Sequence, residues 1–281
     1  MIIALFPNES KQSSLSIASD LCQYLLSRQI QVVTEDRHTP FLKEAIPLSQ
    51  IDPAAISFQI SLGGDGTILR LVHRHPNIHA PMLGINLGSL GFLADIPLHD
   101  IYPSLDDLLE GRYTIQNRMR MDGFTSSGDR SFAVNEIVVH RAQNPCLVEF
   151  AIYVDDLYLN TFTADGVIIA TPSGSTAYSL AAGGPIVSPE LQAFVLTPIC
   201  PHTISNRPIV LMPKKQIQIK YLSHLLPLEI TYDGISNFTL LTDQSLTIIV
   251  SEQFFPLVNL SRHSYFSTLR EKLGWQGKLK I

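Results

Sequence analysis

ISFQISLGGDGTILR, residues 56–70, joins an alternating apolar run, a glycine-framed aspartate and the start of a helical pattern. Ile56, Phe58, Ile60 and Leu62 recur at period two, the spacing of a strand, and a short helical pattern begins at Thr67. A strand that passes through a glycine loop into a helix is a unit of a parallel α/β sheet. In such sheets ligands bind beyond the carboxyl ends of the strands.

The flanking sequence repeats that logic. IIALF at 2–6 reads as a strand, and residues 14–29 carry Leu15, Ala18, Leu21, Cys22, Leu25 and Leu26 at the three-four spacing of an amphipathic helix. IQVVT at 30–34 and PMLGIN at 81–86 are further strands. IYPSLDDLLE at 101–110 is a helix stopped by Gly111. The order β-α-β-β-α-β implies an open, mostly parallel sheet. Beyond Gly111 come SFAVNEIVVH, LVEFAIYV, GVIIATP, QIQIKYL, LEITY and SLTIIV, separated by Gly, Pro, Asp and Asn. These short β-rich runs indicate an all-β unit. SYFSTLREKLGW at 264–275 is a last helix, with Tyr265, Phe266, Leu269 and Leu273 on one face, expected to pack back on the first domain. The expected division is an α/β domain over 1–108, a β-sandwich-like domain over 109–262 and a returning C-terminal helix over 263–281. No internal repeat or low-complexity tract is visible.

The 281 residues are 45% apolar and 16% charged with a formal net charge of −5, so no basic field favours nucleic acid, and Lys214-Lys215 is too short for a patch. The N-terminal apolar run, Ile2 to Phe6, is too short for a signal segment, and nothing approaches the roughly 18 apolar residues of a spanning helix. The expectation is a cytoplasmic protein without a membrane partner. Cys22, Cys146 and Cys200 form neither a disulfide framework nor a CxxC pair, and burial is expected for each. The nine histidines show no HExxH, so no protein-built metal site is expected.

Three stretches carry chemistry. In the glycine loop, Gly63, Gly64, Gly66 and Thr67 can bring backbone N–H groups to a phosphate, aided by the helix N-terminus. Asp65 is the odd member, because a carboxylate repels phosphate. It suits the loop if it takes a proton from a hydroxyl or meets a metal ion that bridges it to phosphate; the alternative is an ordinary turn with a capping Asp. Leu69 stands where GxGxxG needs its third glycine, and no GxxxxGK[ST] occurs. The second stretch, TADGVIIATPSGSTAYSLAAGGPI at 163–186, is a strand flanked by Asp165 and by a run that can offer Ser173, Thr176 and Tyr178 to the polar edges of a purine and ribose, or that is a glycine-serine turn. Ser175 has no GxSxG elbow around it. The third is Asn135-Glu136 in AVNEIVVH, where one residue must face inward or sit at a bulge. Arg118 and Arg120 in NRMRM alternate on one strand face, toward phosphate or an acidic neighbour.

GGDGTILR at 63–70, GINLGSLGFLAD at 84–95, LEGRY at 109–113, VNEIVVH at 134–140, DGVIIATPSGSTAYSLAAGGPI at 165–186, PICPHTISNRPIV at 198–210 and KLGW at 272–275 together resemble the NAD kinase family, in its order and spacing. The resemblance implies a Rossmann-like N-terminal domain, a β-sandwich-like C-terminal domain and a homodimer or homotetramer. It implies transfer of a phosphoryl group from ATP, or from polyphosphate, to the 2′-hydroxyl of the adenosine ribose of NAD. Mg²⁺ or Mn²⁺ would arrive with ATP. By the same resemblance Asp65 is the general base, with Gly66 beside it at the dinucleotide. Asn135 and Glu136 hold the adenosine ribose, Asp165 meets the nucleotide bases, and Thr176, Ala177, Tyr178 and Ser179 line the adenine pocket. Arg70 and Thr163 occupy positions where relatives vary; Leu180 and Ala181 match backbone or packing contacts. Two departures stand out: Ile235 in YDGIS takes the place of a ligand-meeting glutamine, and Cys146 replaces a polar residue. Lipid kinases of the diacylglycerol and sphingosine type share GGDGT, but they continue to a PLGTGND-like loop where this chain has GINLGSLGFL. A non-catalytic NAD(P) sensor is the other alternative, and retention of Asp65 counts against it.

Overall fold

A computed structural model describes residues 1–11, 13–89, 91–212 and 216–275; Leu90 of the GINLGSLGFLAD motif and the Lys214-Lys215 pair lie outside the described residues. The chain divides into two compact units, Met1–Asn117 with Pro256–Ile281, and Arg118–Phe255.

The first unit is built on β1 (Ile2–Pro7), α1 (Ser14–Leu26), β2 (Gln31–Thr34), β3 (Ile46–Pro47), β4 (Phe58–Gly63), α2 (Asp65–Arg74), β5 (Met82–Asn86), α3 (Ile101–Leu109) and β6 (Tyr113–Arg118), joined by the late strand Phe255–Leu260, β19 in chain order. Its seven-stranded sheet runs β3-β2-β1-β4-β5-β19-β6. The pairs β1/β2, β1/β4, β2/β3, β4/β5 and β5/β19 are all parallel. The strand order therefore reverses between β1 and β4, which makes the carboxyl end of β4 a topological switch point. β4 departs from its period-two reading, because all six of its residues are buried. A central strand of a parallel sheet is covered on both faces. Its polar Gln59 is accommodated by donating Nε2 to the carbonyls of Ala80 at 2.8 Å and Ile78 at 3.4 Å. α1 buries Ala18, Leu21, Cys22 and Leu25 at helical spacing, packed with Leu5, Ile60 and Leu62 in one core, each large side chain contributing roughly 2 kcal/mol. β3 escaped the sequence reading because two edge residues ending in proline carry no periodic signal. Gly111 stands at φ 78°, the left-handed stop expected after α3.

α5 (Tyr265–Leu273) closes the chain in this unit and ends at Gly274 with φ 65°. It buries Thr268 and Leu269, whereas Phe266, assigned to the buried face from the sequence, is 65% exposed. The inward stripe runs 265, 268, 269, 273, and residue 266 falls beside it.

The second unit comprises β7 (Met121–Thr125), β8 (Arg130–Ala133), β9 (Glu136–His140), β10 (Val148–Val154), β11 (Leu157–Ala164), β12 (Gly166–Ala170), α4 (Tyr178–Ala181), β13 (Phe194–Ile199), β14 (Ile209–Leu211), β15 (Gln216–Tyr221), β16 (Leu228–Tyr232), β17 (Ser236–Leu240) and β18 (Ser245–Val250). They form two six-stranded sheets, β11-β10-β15-β18-β7-β8 and β14-β13-β12-β9-β16-β17, with antiparallel pairing and one shared core that includes Phe150, Ile169, Tyr221 and Tyr232. That is the expected β-sandwich. Arg118 and Arg120 do not alternate along one strand: Arg118 ends β6, and Arg120 precedes β7. Both are buried, and the Arg120 guanidinium lies 3.9 Å from the Phe132 ring centroid. Of the cysteines only Cys22 is buried. Cys146 and Cys200 are exposed, contrary to expectation, because Cys146 lies in the β9–β10 loop and Cys200 leaves β13 with φ 46°.

Candidate active site

The chemistry-bearing residues gather into one cluster in each unit. In the first, β4 ends at Gly63 and α2 begins at Asp65, so Asp65 sits in the first turn of the helix, two residues before the expected start. A Cβ on Gly63 would overlap Thr67, which explains that glycine by packing. Gly64 and Gly66 have no such reason. A Cβ on Gly64 would meet nothing within 4 Å, one on Gly66 only Arg70 Nη1 at 3.7 Å, and neither residue has a positive φ. Both positions leave open space beside the N-terminus of α2, an end of a helix that favours an anion. Thr67 belongs to the frame: it is buried, and its hydroxyl accepts from Asn8 Nδ2 at 2.9 Å and from the Gly64 N–H at 3.4 Å.

The Asp65 carboxylate is held by three backbone donors from the loop after β5. Oδ1 accepts from Leu93 N at 3.0 Å and Ala94 N at 2.8 Å, and Oδ2 accepts from Phe92 N at 2.8 Å. An ionised carboxylate has about four acceptor sites, so one remains, on Oδ2. The loop itself is folded by Asn86, whose Nδ2 donates to the Ala94 carbonyl at 3.1 Å and whose Oδ1 accepts from Gly88 N at 2.7 Å. Gly91 is obligatory there, because a Cβ would overlap Asp65 Oδ1. An anchored, ionised carboxylate with one free lone pair can accept a hydroxyl proton.

In the second unit, Asn135 lies between β8 and β9 and Glu136 begins β9; both side chains are buried. Their backbone is gripped by Asp233, which accepts N–H bonds from Val134 at 2.8 Å, Asn135 at 2.7 Å and Glu136 at 3.1 Å. Asn135 Oδ1 and Glu136 Oε2 have no hydrogen-bond partner, so two buried polar atoms await a donor. Burial pushes the Glu136 carboxyl up to about 8, Asp233's charge adds to that, and a hydrogen bond from the Tyr178 backbone opposes it. Glu136 therefore holds its proton to a pH well above the ordinary carboxyl range. A cavity of about 530 Å³ is lined by Glu136, His140, Arg141, Asp165, Tyr178 and Gly234 among others, a volume suited to a nucleotide-sized ligand. Asp165 is fixed by Arg141 Nε at 2.6 Å, and Arg141 also donates to the carbonyl of Asn144, which is itself buried and bonded to Leu226. Tyr178 remains 45% exposed, with its ring free to stack.

The structure thus brings Glu136, Asp165 and Tyr178 to one cavity, with Asn135 adjacent to Glu136 in the chain. Thr176 Oγ1 donates to the Ser173 carbonyl at 3.1 Å, and Ser179 is buried with its hydroxyl on Thr197 at 2.9 Å, so both side chains are engaged within the fold. Ala177, Leu180 and Ala181 frame the same turn, and Thr163 on β11 gives its carbonyl to His202 N at 2.9 Å. Arg70 lies exposed on α2. Among the described residues no group of three or more His, Cys, Asp or Glu could hold a metal ion. Asn8, Asn86, Arg141 and Asp233 were not identified from the sequence. Asn8 carried a usable signal, its place at the carboxyl end of β1 beside the switch point. Asp233 was legible only as part of a YDG turn.

The comparisons with known proteins agree with this geometry. Residues 3–113 match the ATP-NAD kinase N-terminal domain family, and residues 134–260 match the ATP-NAD kinase C-terminal domain family. The chain is 66% identical over 280 residues to an NAD kinase of Protochlamydia amoebophila, covering 100% of both chains. It is 36% identical over 277 residues to an NAD kinase of Moorella thermoacetica, covering 96% of this chain and 88% of that one. Among solved structures it is similar to yeast NADH kinase complexed with NADH, with TM-score 0.87, 27% identity and coverage of 100% and 89%. It is also similar to an NAD kinase from Archaeoglobus fulgidus in complex with ATP, with TM-score 0.77, 25% identity and coverage of 99% and 100%. A glycine loop that presents one anchored carboxylate, a buried Glu136 lining a nucleotide-sized cavity, and full-length similarity to known NAD kinases lead to one conclusion: the chain belongs to the NAD kinase family.

Proposed function

We propose that Asp65 is the general base of the reaction this family member catalyses, the phosphorylation of NAD by ATP to give NADP. The carrying observation is the anchored Asp65 carboxylate, with one acceptor site left, beside glycines whose bareness no packing explains. Asp65 accepts the proton of the 2′-hydroxyl of the adenosine ribose. A bond forms from that oxygen to the γ-phosphorus of ATP as the bond from phosphorus to the bridging oxygen breaks and ADP leaves. Phosphoryl transfer has a loose transition state, so alignment of the hydroxyl matters more than base strength. Gly64 and Gly66 leave room for the transferred phosphate at the N-terminus of α2, while Gly63 and Thr67, whose N–H is taken by the Gly64 carbonyl at 2.8 Å, brace the loop around it.

Asn135 and Glu136 meet the ribose, Asp165 the nucleotide base, and Tyr178 stacks on adenine. Thr176, Ala177, Ser179, Leu180 and Ala181 shape the wall behind them, with Thr163 at its margin, and Arg70, on α2 with Asp65 and Gly66, meets the dinucleotide. Mg²⁺ or Mn²⁺ enters as the metal complex of ATP. The exposed apolar side chains Leu157, Tyr158 and Leu159 on β11, with Ile209, Val210 and Met212 near β14, favour a homodimer or homotetramer. No described helix is long and apolar enough to cross a membrane.

The test is an assay with NAD, Mg²⁺ and either ATP or polyphosphate, read through an NADP-specific dehydrogenase. Asp65→Asn keeps NAD binding and loses most turnover, on the order of 10²-fold or more. Undiminished turnover in that variant overturns the general-base role. Light scattering of the purified protein tests the oligomer.

A further inference from the structure

The donor to Asp65 Oδ2 is the backbone of Phe92, and the Phe92 side chain is gripped by the C-terminal helix. The ring centroids of Phe92 and Tyr265 are 6.0 Å apart with a 48° tilt, and Lys272 Nζ lies 4.9 Å from the Phe92 centroid. Tyr265 and Lys272 are two helical turns apart on α5, flanking the buried Thr268 and Leu269, so one face of the helix makes both contacts. Gly91, one residue before Phe92, has its N–H on the Ala94 carbonyl at 2.9 Å, and Phe92 through Ala94 supply all three donors to Asp65. We propose that α5 is a positioning element for Asp65: by clamping the Phe92 ring between Tyr265 and Lys272, it holds the one backbone N–H that orients Oδ2, the oxygen left to receive the hydroxyl proton.

This rests on the general-base reading of Asp65 and adds to it. Without the clamp the 91–94 loop still folds through Asn86, but the Phe92 N–H is no longer fixed. A carboxylate displaced by a fraction of an ångström loses rate while both substrates still bind.

The experiment uses the full-length enzyme with Phe92→Ala, Phe92→Tyr, Tyr265→Ala and Lys272→Met. Phe92→Ala is expected to lower kcat roughly ten- to a hundredfold with KM for NAD and ATP within about twofold, Tyr265→Ala and Lys272→Met to lower it less, and Phe92→Tyr to restore it. In an Asp65→Asn background Phe92→Ala is expected to have no further effect, because the group it positions is gone. Full kcat in Phe92→Ala, or an equal proportional loss in the Asp65→Asn background, overturns the proposal. Amide exchange at residues 92–94 separates the clamp from the base: it speeds up in Tyr265→Ala, and unchanged exchange sinks the clamp whatever Asp65 does. Lys272→Met, at an exposed position, carries the kinetic test if Phe92→Ala fails to fold.

Discussion

Asn135 donates its backbone N–H to the Asp233 carboxylate at 2.7 Å across 98 residues of sequence. Asp233 thereby fixes the backbone of the segment that carries the buried Asn135 and Glu136 side chains. Asp233→Asn keeps the shape but removes the charge that makes the three N–H bonds strong. KM for NAD should rise about tenfold with kcat changed less than twofold. Steady-state kinetics at varied NAD checks this, and an unchanged KM counts against Asp233 as the organiser of the Asn135-Glu136 segment.

Glu136 titrates near 8 in the folded chain because of burial first and Asp233's charge second, against an ordinary value of 4.5. A carboxyl raised on folding contributes stability that is present below its unfolded value and lost as pH climbs toward the folded one. Stability should therefore fall between pH 4.5 and 8, by up to about 1.4 kcal/mol per unit from this group. Glu136→Gln removes that slope. Melting temperatures of the two proteins should diverge from pH 5 to 8 in favour of Gln, and parallel curves would contradict the assignment.

Gly64→Ala and Gly91→Ala separate the two reasons for a glycine. At Gly64 the new methyl meets nothing within 4 Å, so stability should hold while the apparent KM for ATP rises. At Gly91 it collides with Asp65 Oδ1 and comes 2.9 Å from the Ala94 carbonyl, so kcat should drop more than tenfold. Equal kinetic effects from the two variants would show that packing alone explains both positions.

Glu35 is the other strongly perturbed carboxyl. Burial works against its charge, but hydrogen bonds from His75 at 2.7 Å, Arg74 at 2.9 Å and Arg37 at 2.6 Å outweigh it and hold the carboxyl below its ordinary value. It ties the end of β2 to the end of α2 beside a cleft of about 580 Å³ that contains none of the predicted site residues. Glu35→Gln should cost about 3 kcal/mol, measured by urea denaturation at pH 7. With a depressed folded value the contribution is present above about 4.5 and fades as pH falls, so the two proteins should converge in acid.

Local signals carried far in this chain. In the first unit β1, β2, β4, β5 and the three helices, the helix stop at Gly111 and the β-rich second unit were legible because periodicity, glycine placement and turn residues act over a few residues; β3, β6 and β19 were not, and β6 and β19 join this sheet from the stretch assigned to the second domain. The extra sandwich strands β7, β11, β13, β14 and β17 were not separately read, since short strands between turns have weak alternation. Phe266 was placed on the wrong side of α5 because apolar spacing alone cannot say which stripe meets a partner. The site showed the same division. Asp65, Asn135, Glu136, Asp165 and Tyr178 stood out by residue type and motif; Asn86, Arg141, Asp233 and Phe92 did not, because a residue that orients another carries no chemistry of its own.

By itself the sequence determined that an α/β unit precedes a β-rich one, the glycine loop at the end of β4 and the family. Only the tertiary structure decided that Asp65 is held by the 92–94 loop, that Glu136 holds its proton beside Asp233, and that Arg141 fixes Asp165. The reason is physical: burial and hydrogen bonds between segments tens of residues apart set charge state and orientation, and neither is written in any local stretch of the chain.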